Sequence, residues 1–246
     1  MKGLWQLTWL EIKIFVREPL GLFGTVGVPV LVFIVLGRLM RGAGQASPEA
    51  AFARNGLPVL AAILMATSAV VSLVTIVAIY REGGILKRLR ATPLHPATIL
   101  TAHVLVKLLL TTVTLTLLLA AGRRYYAPDT PAEVVTFAAA LLFSTSGVLS
   151  IGFLIASLVP TARFAQPVAG LVFYPMIALS GLFFPVALLP PWLRAAARVM
   201  PMTYVVSLLQ GVWQGEPLAS HVWDIGAIAL FGVVFTALAS RFIKWE

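Results

Sequence analysis

Few residues in this 246-residue chain are able to do chemistry, and they are scattered. His95, His103 and His221 read as structural, without carboxylate or cysteine partners at metal-ligand spacing. With no cysteine there is neither thiolate nor disulfide, and no serine sits in a nucleophile elbow. No Gly-Lys dipeptide is present, so no phosphate-binding P-loop can form. What remains is charge. Arg81, Lys87, Arg88 and Arg90 place four cations within ten residues, and Lys107, with His103, is the ionisable exception deep inside an apolar run. A lysine in such a run marks a functional site by default. Lys107 stands about 12 Å by helical rise from the start of its run, so its side chain is expected to reach back to the headgroups, with a bundle-facing role as the alternative.

The elements that carry these residues must lie in lipid. A chain that is 60% hydrophobic and 11% charged, with mean hydropathy +0.97, is read as an all-α integral membrane protein forming one domain over 1–246. The net charge of +9 belongs to connecting segments without an aromatic-interleaved basic face, which argues against nucleic acid as a partner. A bilayer core takes about 20 apolar residues per helix. Six spans are predicted, at about 20–37, 57–80, 99–121, 137–159, 168–184 and 225–240. Pro29 should kink the first. Ser68 and Ser72 give the second a small-xxx-small spacing, with Thr75 below them, and Ser144, Gly147, Ser150 and Gly152 favour close packing of the fourth. Residues 160–166 read as a tight inner turn, and Tyr174 and Pro175 fall mid-way along the fifth span.

Residues 2–18 suit an interfacial helix, because Trp5, Trp9, Ile12 and Val16 line up beside a polar stripe. Glu11, Lys13, Arg17 and Glu18 interrupt any signal-peptide core. Six spans put both termini on one side, with ten Lys and Arg inside (Lys107 excepted) and seven outside, a modest bias; it is chiefly the Arg81 to Arg90 cluster that makes that side cytoplasmic. Residues 185–214 are apolar but cut by Pro185, Pro190, Pro191 and Pro201, and Arg194 and Arg198 share a face. A re-entrant outer hairpin between spans five and six is expected rather than a crossing.

The basic loop, 81–98, has more structure than a headgroup contact needs. Gly83 and Gly84 break the incoming helix, Pro93 ends the short helix after it, and Ile85, Leu86 and Leu89 fall opposite the cations. Glu82-Gly83-Gly84, Leu89 and Ala91-Thr92-Pro93-Leu94 resemble the loop between the second and third spans of ABC-2 type permeases. Arg17-Glu18-Pro19, Ser180 to Pro185, Leu189 to Leu193 and Pro201 to Tyr204 are similar to the interfacial helix end and outer element of the same family. The resemblance implies a transport subunit that is not itself an enzyme, docked on two cytoplasmic ATP-binding subunits that carry ATP and Mg, and paired with a second membrane subunit. It implies a multi-pass protein of a bacterial or archaeal cytoplasmic membrane. It also implies coupling through Glu82, Gly83, Gly84, Ile85, Leu86, Leu89, Arg90 and Pro93, with Glu11 and Glu18. Pathway or gate candidates are Ser68, Ser72, Thr75, Tyr174, Phe183, Phe184, Trp192 and Tyr204.

The chain departs from the family where many members carry Glu and Arg: Ser207 and Gln210 stand there instead. Few intramembrane charges suit a hydrophobic or amphipathic exported solute, with a polysaccharide or glycolipid as the alternative. A secondary carrier or channel would use intramembrane carboxylates or matched broken helices, and an intramembrane enzyme would cluster catalytic groups; the sequence has neither pattern.

Overall fold

The computed structural model describes residues 2–39, 56–84, 96–125, 133–159 and 161–242, and these are helical apart from short turns. In chain order they form α1 (Lys2–Arg17), α2 (Pro19–Leu39), α3 (Leu57–Glu82), α4 (Pro96–Tyr125), α5 (Val134–Leu158), α6 (Ala162–Ala178), α7 (Pro191–Val199), α8 (Pro201–Trp213) and α9 (Val222–Phe242). Among the described residues, five helices are long and apolar enough to cross a membrane: α2, α3, α4, α5 and the α9 segment. The expected fifth span corresponds to α6, which is not among the five: it has only 17 residues and contains Pro167 and Pro175.

The first span widens into a π-helical turn at Phe23–Gly27. Pro29 comes directly after, and without a backbone N–H it cannot close the usual bond to the carbonyl four residues back, so the ladder loosens there. Helix α3 is the centre of the bundle. Val59, Ala62, Ile63, Ala66, Val70, Leu73, Val74 and Val77 are all at most 5% exposed, covering most of its circumference. Helices α5 and α6 pack against it, α8 joins from the outer side, and α9 lies mainly on α5.

Lipid gives helices no solvent-driven reason to associate, so small residues set how closely they approach. A Cβ on Gly147 of α5 would lie 2.5 Å from Ile228 Cγ2 of α9, and across the same contact Gly232 faces the Gly147 Cα.

Two expectations shift. Helix α6 starts at Ala162, inside the stretch read as a turn, and ends at Ala178, six residues before the expected end of the fifth span. Arg163 and Gln166 suggested a loop, but they sit exposed on the first turns of a helix. Its end is set by Gly181, whose φ of +93° only glycine adopts readily. The hairpin is also asymmetric: α7 lies exposed, with Trp192 71% and Val199 71% accessible, whereas α8 buries Met202, Val205, Val206, Leu208 and Leu209 in the core. Pro191 and Pro201 each occupy the first turn of their helix, where the missing N–H has no partner to lose.

Replacing Gly147 by Leu should overpack the α5–α9 contact and destabilise the protein by about 1–3 kcal/mol in a detergent unfolding titration. Gly226→Ala, whose new methyl group meets nothing within 4 Å, should instead gain about 0.5–1 kcal/mol.

Candidate functional site

A buried polar node joins the interfacial helix to the two helices that flank the basic loop. Glu11 is on α1, Ser72 and Tyr80 are on α3, and His103 and Lys107, one turn apart, are on α4. The Tyr80 hydroxyl donates to Glu11 Oε1 at 2.7 Å, and His103 Nδ1 faces Glu11 Oε2 at 3.5 Å. Tyr80 and His103 also meet edge to face, 5.4 Å between ring centroids. Lys107 Nζ donates to Ser72 Oγ at 2.6 Å and sits 4.6 Å from the centre of the Phe15 ring.

Lys107 is only 1% exposed. Its ammonium is enclosed rather than open at the surface: it is roofed by Phe15 and held by Ser72 of α3. Phe15 accepts it because the face of an aromatic ring is electronegative. His103 is 2% exposed and its Nε2 has no hydrogen-bond partner. Glu11, expected to take part in coupling to the ATPase, is 9% exposed and turned towards α3 and α4. Glu18 stays exposed at the corner between α1 and α2.

At the lower end of α3, the Gly83 N–H closes on the Ile79 carbonyl and Gly84 takes a φ of +65°, so the helix stops where the sequence places its break. Glu82 turns to α6, where its Oε2 accepts the Ala162 N–H at 2.8 Å. Ile85, Leu86, Leu89, Arg90 and Pro93 lie outside the described residues.

Matching residues 2–213 to the ABC-2 type transporter family model accounts for this arrangement from the interfacial helix to the end of α8. The chain belongs to the ABC-2 type transporter family. It is similar to Nodulation protein J of Rhizobium leguminosarum bv. trifolii, 27% identical over 95 residues, which are 39% of this chain and 36% of that protein. Nodulation protein J of Neorhizobium galegae is 29% identical over 85 residues, 35% of this chain and 32% of the relative. That of Rhizobium leguminosarum bv. viciae is 31% identical over 85 residues, 35% and 33%. The chain thus spans about a third of the length of the curated relatives it matches.

The pathway candidates of this ABC-2 permease divide into two groups. Ser72 holds Lys107, Thr75 donates to the Val71 carbonyl, and Ser68 is half-buried on the same helix. Tyr174, Phe184 and Trp192 lie on the surface of the single copy, 75%, 68% and 71% exposed, with Phe183 beside them. Tyr204 donates its hydroxyl to the Arg198 carbonyl and so pins α7 to α8.

One cluster was missed. His221, read as having no carboxylate partner, is bracketed by Glu216 at 2.9 Å and Asp224 at 2.8 Å, and Ser207 donates to the same Asp224 carboxylate at 2.8 Å. The spacing of Glu216, His221 and Asp224 held a signal, but a turn had to fold Glu216 back onto the ring. Ser207, the departure from the family pattern, is thereby tied to the start of α9. Among the described residues no group of three His, Cys, Asp or Glu is arranged to hold a metal ion.

Removing Glu11 takes the buried partner from the Tyr80 hydroxyl and from His103. Glu11→Ala should destabilise the protein by about 1–3 kcal/mol, the usual effect of leaving a buried polar group unsatisfied. The double variant Glu11→Ala with Tyr80→Phe should lose less than the two single changes summed, read as a coupling energy in a double-mutant cycle.

Proposed function

We propose that this ABC-2 permease exports a hydrophobic or amphipathic solute, driven by ATP and Mg bound to a separate ATP-binding subunit. One observation carries the substrate class. The ionisable residues deep in the described spans, His103 and Lys107, are enclosed by Glu11, Phe15, Tyr80 and Ser72, so neither is free to line a route for a charged solute. A polysaccharide or glycolipid, recognised at the outer aromatic surface instead, is the alternative within the same family.

The working unit in this reading has two membrane subunits and two ATP-binding subunits. Support comes from Leu171 and Tyr174 of α6, 76% and 75% exposed on one copy: a route closed by a second subunit would cover them. Six crossings are proposed, with α6 as the short one: its 17 residues span about 26 Å. Helices α7 and α8 then form the outer re-entrant hairpin, and the termini face the cytoplasm of a bacterial or archaeal cell. The exposed Arg198 on α7 favours a headgroup position over the bilayer interior, where a cation costs about 2.5–3.5 kcal/mol.

The topology is tested on the cysteine-free chain. A membrane-impermeant maleimide added to intact cells should label Val199→Cys and leave Arg163→Cys unlabelled until the membrane is opened; the reverse pattern would overturn it. Coupling is tested by Leu89→Asp, which sets a charge in the apolar stripe of the loop. ATP-driven efflux of the solute that co-purifies with the complex should fall about tenfold, the effect of roughly 1.4 kcal/mol lost at the contact. Unchanged efflux with the ATP-binding subunit still attached would reduce the loop to a lipid contact.

A further inference from the structure

We propose that Glu82 is a positioning residue that joins the cytoplasmic loop to α6, and through α6 to the outer hairpin, rather than a contact to the ATP-binding subunit. The proposal rests on the chain's being a transport subunit driven by ATP. Helix α6 begins without a cap of its own, since the Thr161 side chain makes no bond to the freed N–H groups. The Glu82 carboxylate, 80 residues earlier in the chain, supplies the acceptor for Ala162 N–H instead. A carboxylate there also complements the positive end of the helix dipole.

Position makes this bond more than a cap. Glu82 is the last residue of α3, and the Gly83–Ile79 bond and the Gly84 turn fix the start of the basic loop directly to it. A displacement at the start of the loop therefore reaches Glu82 first, whereas one at its far end enters α4. Beyond the bond, α6 packs along α3 as one continuous helix, with Ala165, Ala169, Phe173 and Met176 buried. Its far end is closed as well: Leu179 N–H bonds the Pro175 carbonyl, and the Ser180 hydroxyl donates to the Ile177 carbonyl. The Gly181 turn comes next, then a short 3-10 turn at Val186–Leu188 and α7. Loop, Glu82, α6 and hairpin thus form one mechanical line from the inner to the outer end of the chain.

The test needs no knowledge of the solute. Leu188→Cys, 76% exposed in the hairpin, is the single label site on the cysteine-free chain, and it carries a nitroxide. The chain is purified with its ATP-binding subunit, and the mobility of the label is read before and after ATP with vanadate. The label should respond in the parent complex. Glu82→Ala should abolish the response while the ATP-binding subunit still co-purifies, and Glu82→Gln, whose amide oxygen can accept the same N–H, should retain it. Adding Thr161→Asp to Glu82→Ala gives α6 its own cap without the link to α3, and the response should stay lost. The proposal is overturned if Glu82→Ala releases the ATP-binding subunit, if it leaves the response intact, if Glu82→Gln behaves like Glu82→Ala, or if Thr161→Asp restores the response. Failure of the parent chain to retain any ATP-binding subunit would instead overturn the transport reading beneath it.

Discussion

A lysine held out of water needs its electrostatic partners built around it, and the lower half of this permease is arranged to meet that need at Lys107. Ser72 accepts from the ammonium and Phe15 covers it, while Glu11 meets His103 one turn before it. Those three residues come from α3 and α1, so the requirement of a single side chain fixes where the interfacial helix lies. The same Glu11 satisfies Tyr80 at the end of α3, which places the helix directly beside the basic loop. The node thus ties register to chemistry: Glu11 reaches Tyr80 and His103 together where α1 lies across α3 and α4.

Backbone groups are subject to the same scarcity of partners. Each helix start in lipid or at its edge must account for N–H groups that no preceding turn accepts. Helices α7 and α8 meet this with Pro191 and Pro201, which remove a donor, and α6 meets it by borrowing a carboxylate from α3. The contrast explains why the hairpin is locally determined while α6 depends on the rest of the bundle.

That difference also marks what the sequence reveals. Apolar run lengths foretell helices near the observed positions, and proline and glycine spacing marks where α7 and α8 begin and α3 ends, because these signals act on the backbone within a few residues. The start of α6 was hidden, since Arg163 and Gln166 look like a turn unless Glu82 is known to cover the helix end. Lys107 pointed to a function but not to Phe15 and Ser72. Glu11 meets Tyr80 across 69 residues and Glu82 meets Ala162 across 80, separations that hydrophobic periodicity does not encode. His221 was closer to legible, with Asp224 three residues on, but the role of Ser207 appears only once α8 and α9 are side by side.

Helix α9 is the least enclosed of the candidate spans, with 11% of its apolar window buried, and it rests mainly on α5. It is also made after the helices it rests on. Chains generally fold from the amino end as they are synthesised. By the time residues 222–242 leave the ribosome, α3, α5 and α8 already present a finished surface, with Gly147 open as a slot for Ile228. Helix α9 thus arrives as a stave laid on helices already in place. A nascent chain halted before it would already contain the buried charge node, the loop and the hairpin, with the α5 surface at Gly147 left uncovered.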